Sequence, residues 1–227
     1  MQNRKPLDPH ELQQQLEDKY PDLRVFYEDQ RLLVRGSFPV LSEQSVIDRF
    51  QIESEIHPDF PEETPQVWEV GGRIPRIVDR HTYTNGGSCL LVPEEWLAQP
   101  IEERNLASFF GGPVHNYFLY QCFAELGMDW PHGERPHGFK GVLEAFSELL
   151  GIDDPIQLLN FLKLLTHEQI KGHWNCPCGS GKIIRRCHIS RIRELQERIV
   201  PSVAQKSIER LVSTYQADRP RVRQPHI

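Results

Sequence analysis

The chain has 227 residues, of which 38% are hydrophobic and 26% are charged, and its formal net charge is −6. This composition is typical of a folded globular protein, and its length suits one domain with an appendage. The acidic excess argues against general nucleic-acid binding, which usually needs a basic surface. No apolar run approaches the ~18 residues of a membrane span, and the N-terminus lacks the apolar stretch of a signal peptide. We therefore expect a cytoplasmic protein with no membrane or nucleic-acid partner.

The first predicted element is a helix that begins after Asp8 and runs to about Tyr20. Asp8 is a favoured N-cap residue, and a proline follows it at the first helical position. Leu12 and Leu16 recur at helical spacing, so they are expected to face the core.

Four short β-rich segments follow the helix. Their close spacing leaves no room for crossover helices, which predicts an antiparallel meander. Glu28, Asp29 and Gln30 separate the first two segments and predict a hairpin. The segments are Leu23–Tyr27, Leu32–Phe38, Phe50–Ile56 and Val67–Val70.

Residues 73–93 show no period of 2 or 3.6, and we predict a long loop that is ordered because it contains several apolar residues. The rest of the chain is predicted to be helical, apart from a frayed tail at residues 219–227. The predicted class is therefore α+β. The expected helices are Ile101–Leu126, with a break at residues 111–113, then Phe139–Leu150, Pro155–Leu165 and Ile189–Tyr215.

Four potential metal ligands occur close together in the last third of the chain. Zinc prefers four nitrogen or sulfur ligands, and a closed set of four protein ligands indicates a structural site. Gly179 and Gly181 allow the tight turn that would bring the two ligand pairs together. The alternative is that reduced cysteines cluster here by chance. The four ligands are Cys176, Cys178, Cys187 and His188.

This run resembles the SEC-C motif of bacterial proteins, in which a Cys-Pro-Cys-Gly-Ser-Gly start and a Cys-Cys or Cys-His finish bind zinc. The resemblance is confined to residues 176–188 and implies structural Zn²⁺ in a small docking module. A cluster of basic residues adjoins the run and is either a docking surface for an acidic partner or a solvated helix face. The cluster consists of Lys182, Arg185, Arg186, Arg191 and Arg193.

A second set of motifs lies between Phe50 and Trp96. An alternating strand is followed by a His-Pro-Asp-Phe-Pro turn and by the run Asn85–Leu90, which contains Cys89. This order resembles the ubiquitin-conjugating (UBC) fold, and more particularly the divergent bacterial conjugating enzymes of anti-phage operons of the CBASS type. The resemblance covers roughly residues 9–126.

The resemblance implies a UBC-like domain over residues 1–128, with a four-stranded meander and flanking helices. A helical C-terminal region over residues 129–227 would then carry the zinc knuckle at about residues 173–190. It also implies that Cys89 accepts a modifier, or a modified substrate's own C-terminus, as a thioester and transfers the acyl group to an amine on a protein target. The implied partners are a ubiquitin-like modifier or a nucleotidyltransferase target that makes cyclic nucleotides, together with an activating enzyme.

The His-Pro-Asn tripeptide of the eukaryotic enzymes is absent, since Thr82 and Tyr83 follow His81. The interval from His81 to Cys89 is also two residues shorter than usual. The candidates for the group that stabilises the oxyanion are therefore His81 and Asn85, either of which is a neutral hydrogen-bond donor.

The residues themselves are compatible with this chemistry, because Cys89 lies in a glycine-bordered loop that a modifier's tail could approach. Two alternatives compete with it. One is a non-catalytic adaptor that uses the UBC-like domain for one protein and the knuckle for another. The other is a cysteine hydrolase using Cys89 and His81, which lacks an evident third group.

Two further sets of residues are assigned less specific roles. Cys122 lies on an apolar helical segment and is expected to be buried and inert. His132 and His137 occur in a loop, where they are either exposed histidines or metal ligands.

Overall fold

The structure is a computed structural model that describes residues 6–43, 45–91, 93–97, 99–128 and 139–218. The loop with His132 and His137 and the tail 219–227 lie outside these ranges. As far as they are described, residues 1–93 and 102–134 form one compact unit, and residues 94–101 and 135–227 form a second. The domain boundary predicted at residue 128 stays a prediction.

Helix α1, Pro9–Glu17, begins as predicted, because the Asp8 carboxylate accepts a hydrogen bond from the His10 backbone N–H at 2.9 Å. Leu12 and Leu16 are its buried residues. The helix ends three residues before the predicted limit at Tyr20, since the proline at position 21 disfavours helical geometry in the residue that precedes it.

The four predicted strands form one antiparallel sheet in the order β1-β2-β3-β4, which confirms the α+β class and the meander. The β1–β2 turn places Asp29 and Gln30 at φ of 48° and 65°, as a tight type I′ hairpin requires. Strand β2 continues past Pro39, where the register shifts between Val40 and Leu41. The strands are β1 (Leu23–Glu28), β2 (Arg31–Ser42), β3 (Ser45–Ile56) and β4 (Gln66–Glu69).

The core of the first unit is a cluster of aromatic rings between the sheet and helix α4, His115–Glu125. Phe118 from this helix lies 5.5 Å from Phe38 and 4.8 Å from Phe50, measured between ring centroids. Tyr20 stacks on Phe38 at 5.1 Å. Because aromatic side chains bury large areas, this cluster fixes α4 across the sheet.

Helix α4 is the last part of a longer helical rod. Helix α3, Leu106–Phe109, passes through a π-helical turn, Phe110–Val114, into α4. Pro113 accounts for the wider turn, because it lacks a backbone N–H and its ring crowds the carbonyl four residues earlier. The predicted start at Ile101 is wrong, since Asn105 caps α3 by accepting from the Ser108 N–H at 3.0 Å.

The second unit is helical, and α5 and α6 match their predicted bounds. The single helix predicted over Ile189–Tyr215 is wrong: it breaks before Pro201, which has no N–H to continue the helix, and Ile199 is extended. Among the described helices, none is long and apolar enough to cross a membrane. The helices of this unit are α2 (Pro93–Leu97), α5 (Phe139–Leu150), α6 (Pro155–Leu165), α7 (Ile189–Arg198) and α8 (Pro201–Asp218).

The closest backbone approach at a described glycine involves Gly36, in the middle of β2. Its φ is +150°, and a Cβ atom there would lie 2.1 Å from the Asp22 carbonyl oxygen. We expect Gly36→Ala to lower the free energy of unfolding by about 2–3 kcal/mol, because the clash is with backbone that cannot move aside. Urea denaturation measures this change.

The matched control is Gly112→Ala, because a Cβ at Gly112 meets no heavy atom within 4 Å. We expect this helical variant to be as stable as the wild type or more stable by up to about 1 kcal/mol. Equal stability of the two variants would contradict the role assigned to Gly36.

Candidate functional site

Residues 81–89, which we call the Cys89 hairpin, lie within the predicted loop. They form a short hairpin that extends the sheet at β4. Thr82 and Ser88 face each other in an antiparallel bridge. The Ser88 N–H donates to the carbonyl oxygen of Val67, in β4, at 2.7 Å. This part of the predicted loop is therefore bonded to the edge of the sheet, which sets its geometry.

The tip of the hairpin closes through Tyr83, Asn85 and two glycines. The Tyr83 N–H donates to the Gly87 carbonyl oxygen, and the Gly86 N–H donates to the Tyr83 carbonyl oxygen, both at 2.8 Å. Gly86 has φ +85°, a conformation that favours glycine. The Asn85 side-chain oxygen accepts from the Gly87 N–H at 2.9 Å, so this predicted site residue also holds the turn together.

Cys89 is half-buried at the end of the hairpin. Its backbone N–H donates to the His81 carbonyl oxygen at 2.8 Å, and its Sγ accepts a hydrogen bond from the Tyr83 hydroxyl at 3.3 Å. The hydrogen bond between the two predicted residues His81 and Cys89 thus joins their backbones. The His81 side chain is half-buried, and its backbone has the left-handed conformation, with φ 48° and ψ 44°.

The sequence did not predict the contact from Tyr83. Tyr83 is the second residue after His81, so it lies close in the chain to a predicted site residue.

A buried polar network supports the hairpin from α4. Gln121 is fully buried; its Oε1 accepts from Arg80 Nε at 2.7 Å, and its Nε2 donates to the Arg80 carbonyl oxygen at 2.8 Å. The Tyr117 hydroxyl lies 3.1 Å from Thr82 Oγ1. Burial raises the pKa of the Tyr117 phenol, so this hydroxyl stays protonated at neutral pH. The residues that lead into the Cys89 hairpin are therefore fixed to the helix behind them.

The start of the loop is held by charged groups. The Glu69 carboxylate accepts from the backbone N–H groups of Gly71 and Arg73 at 2.7 and 2.9 Å. The Arg73 guanidinium donates to Asp48 and to Glu125, each with a bond of 2.8 Å, and it holds the pKa of Asp48 down at about 2. The loop is thus anchored before the hairpin begins.

Cys122 is half-buried rather than fully enclosed in the core. Its Sγ donates to the Asp48 carboxylate at 3.5 Å, and burial raises the pKa of its thiol to about 11. A thiol that stays protonated is a poor nucleophile, which agrees with the inert role predicted for Cys122.

A second candidate site, the Cys/His cluster, is built on a small turn in the second unit. Asn175 and Ile183 form an antiparallel bridge, and the Cys176 N–H donates to the Lys182 carbonyl oxygen at 2.8 Å. Gly179 and Gly181 have φ of +75° and +72°. These left-handed glycines reverse the chain, as predicted, so that the two ligand pairs face each other.

The four ligand atoms of the Cys/His cluster all lie within 4.8 Å of one another. His188 Nδ1 is 3.2 Å from the sulfurs of both Cys176 and Cys187, and the sulfurs of Cys178 and Cys187 are 3.5 Å apart. Neighbouring ligands of a tetrahedral zinc lie about 3.8 Å apart. The four residues can therefore bind a metal ion.

The thiols in the Cys/His cluster differ in their environments. Burial raises the pKa of the Cys176 thiol to about 11, whereas the hydrogen bond with Ser180 lowers the pKa of Cys178 to about 6. The predicted basic cluster is at the surface nearby, with Lys182, Arg185, Arg186 and Arg193 exposed. Arg191 makes an ion pair with Glu194 at 2.8 Å, which offsets part of the local positive charge.

No protein-family model, curated protein or solved structure matches this chain.

The Gln121 network predicts a specific effect on the Cys89 hairpin. Gln121→Leu keeps the approximate volume but removes both hydrogen bonds to Arg80, so we expect the free energy of unfolding to fall by about 1–3 kcal/mol. Amide hydrogen exchange at Thr82, Tyr83 and Cys89 should become faster, because the segment loses its support from α4. Urea denaturation and exchange mass spectrometry measure the two effects.

Gln13→Leu is the matched control, because the Gln13 carboxamide also makes two backbone bonds, to the Leu23 carbonyl oxygen at 3.2 Å and the Val25 N–H at 2.8 Å. It should destabilise the protein without changing exchange in the Cys89 hairpin. Unchanged exchange in Gln121→Leu would contradict the supporting role of the network.

Proposed function

We propose that this protein is a UBC-like acyltransferase that carries a modifier as a thioester on Cys89 and transfers it to an amine of a protein target. One observation carries the proposal. The Cys89 thiol is half-buried at the end of a hairpin whose main chain is hydrogen-bonded within itself and to β4, and a phenol hydroxyl donates to its sulfur. A thiol held in this way suits repeated covalent exchange.

The reaction needs two displacements at one carbonyl carbon. In the first, the Cys89 thiolate attacks the activated carboxyl carbon, a C–S bond forms and the activating group departs. In the second, a target amine attacks the thioester carbon, the C–S bond breaks and the sulfur leaves as thiolate. The proton lost by the amine goes to water. Each displacement passes through an oxyanion, for which His81, Asn85 and Tyr83 are the nearby side-chain donors.

The architecture supports the UBC-like assignment. An N-terminal helix, a four-stranded meander, a long ordered loop carrying the cysteine and a following helix occur in the expected order. The aromatic cluster and the Gln121 network pack that helix behind the loop, which places the reactive residue on a rigid frame.

We propose further that the metal held by Cys176, Cys178, Cys187 and His188 is structural zinc. Three sulfurs and one imidazole nitrogen form a closed set of soft donors, which selects zinc and leaves no open position for substrate. When bound, the ion supplies folding free energy to the turn. The basic residues around the turn would make it a docking module.

The biological setting follows from the resemblance to the conjugating enzymes of anti-phage operons. The partners would be a ubiquitin-like modifier or a nucleotidyltransferase target, together with an activating enzyme, all in the cytoplasm. The thiol and the Cys/His cluster lie in different units.

A second candidate function is a non-catalytic adaptor. Exposed apolar side chains lie in the Cys89 hairpin and in the residues just before it. They include Ile77, Val78 and Tyr83, each at least half exposed. Such a patch suits protein binding whether or not the thiol reacts.

We expect purified protein to hold one zinc per chain, measured by elemental analysis of protein prepared without chelator. Cys176→Ser should lose the metal and unfold the Cys/His cluster locally, because structural zinc contributes ~10–16 kcal/mol of apparent binding free energy in small peptides. The first unit should keep its unfolding transition because its core is separate. Cys122→Ser is the control and should retain zinc; a metal-free wild type would overturn the assignment.

We expect protein isolated from cells with its operon to carry a reductant-sensitive mass increment on Cys89, detected by intact mass spectrometry. Cys89→Ala should carry none, and Cys89→Ser should carry at most a reductant-resistant ester. Cys122→Ala is the control and should keep the adduct, since a thiol of pKa about 11 is only about one part in a thousand thiolate at pH 8.

Persistence of the increment in Cys89→Ala would place the adduct elsewhere and contradict the acyltransferase proposal. Absence of any increment from wild type while target conjugates accumulate would do the same. Either result would favour the adaptor.

A further inference from the structure

The backbone N–H groups of residues 86–89, up to and including Cys89, are engaged inside the protein. The Cys89 N–H donates to His81 and the Ser88 N–H to Val67. The Gly87 N–H donates to Asn85 Oδ1, and the Gly86 N–H donates to the carbonyl oxygen of Tyr83. A donor to an oxyanion on Cys89 that comes from this side of the hairpin must therefore be a side chain.

The Tyr83 hydroxyl is a side-chain donor close to the Cys89 sulfur. It already donates to the Cys89 sulfur at 3.3 Å, and the Tyr83 backbone is fixed by two hydrogen bonds across the hairpin. The oxygen of a thioester is two bonds from the sulfur, so a hydroxyl that reaches the sulfur can reach the oxygen by a small rotation of the side chain. The Tyr83 ring is half exposed.

Resting on the proposed function, we infer that Tyr83 is a catalytic residue whose hydroxyl donates to the oxyanion formed at Cys89. When the amine nitrogen attacks the thioester carbon, the C=O π electrons move onto oxygen, and the Tyr83 O–H donates a hydrogen bond to it. The oxyanion then collapses, the C–S bond breaks, Cys89 leaves as thiolate and the ammonium loses its proton to water. Tyr83 keeps its own proton throughout.

Asn85 is less well placed for this role than Tyr83. Its side-chain oxygen is engaged by the Gly87 N–H, which fixes the carboxamide in the turn. Contact of the phenol with the reacting sulfur distinguishes Tyr83 from Asn85 on geometry alone.

The test compares Tyr83→Phe with wild type on the full chain, using the N-acetylglycine thioester of mercaptoethanesulfonate as the acyl donor. Cys89 exchanges with this thioester and releases mercaptoethanesulfonate. The loaded protein is freed of donor and mixed with excess lysine amide, and intact mass spectrometry follows loss of the acyl group. The rate of Cys89 alkylation by iodoacetamide is measured in parallel.

Removing one oxyanion donor typically slows a reaction by about 10²-fold, so we expect discharge from Tyr83→Phe to be slower by that order. Alkylation of Cys89 should change by less than about twofold, because it forms no oxyanion. Tyr27→Phe is the matched control: Tyr27 lies on β1, the opposite edge strand, and is equally exposed, 51% against 50%, and its hydroxyl donates to the Leu7 carbonyl oxygen. It should discharge at the wild-type rate.

Three results would overturn the inference. Wild-type discharge by Tyr83→Phe would remove its role while leaving Cys89 as the carrier. An equal slowing of discharge and alkylation would show that Tyr83 acts on the thiol instead of the oxyanion. Failure of wild-type Cys89 to accept the acyl group, with alkylation intact, would end the proposed function and the role of Tyr83 together.

Discussion

The site depends on one buried carboxamide. Gln121 has no access to water, and the two ends of its side chain bond to the guanidinium and the carbonyl oxygen of Arg80. A buried amide without partners would cost several kcal/mol, so helix and loop are stable together only in this arrangement. The aromatic cluster packs α4 on the sheet, and the hydrogen bonds of Gln121 hold the loop at Arg80 against α4.

Different parts of the first unit therefore have different structural roles. Helix and sheet supply rigidity, the Arg73 ion pairs anchor the start of the loop, and the hairpin presents a thiol at the sheet edge. Cys122 shows the contrast, because it is also a reduced cysteine but lies against Asp48 and stays protonated. Cys89 and Cys122 thus differ in their surroundings, and the surroundings of a thiol set its reactivity.

Much of this fold could be predicted from sequence, and the failures have physical causes. Strand spacing and apolar periodicity are local properties, so the meander, α5 and α6 were predictable. Whether a helix continues depends on single prolines. The helix continues through Pro113 by forming a π-helical turn, whereas α7 ends before Pro201, where α8 begins. The glycine spacing of the Cys/His cluster made its geometry predictable too.

The candidate site was predictable only in part. Cys89 stood out because glycines border it, but the contact of Tyr83 depends on hairpin register and could not be read from residue type. The same is true of Gln121, which is one glutamine among many until the fold brings it to Arg80. Long-range pairings of this kind are decided by tertiary packing.

The closed hydrogen bonding of the Cys89 hairpin also bears on how such a site can diversify. Main-chain groups bind one another and β4, and the exposed Asn85 carboxamide adds one bond to the turn. The path of the chain is therefore set largely without the Tyr83 side chain. If Cys89 acts as proposed, substitution at Tyr83 would change the chemistry while the scaffold survives, and related chains would exchange chemistry for recognition in few mutational steps.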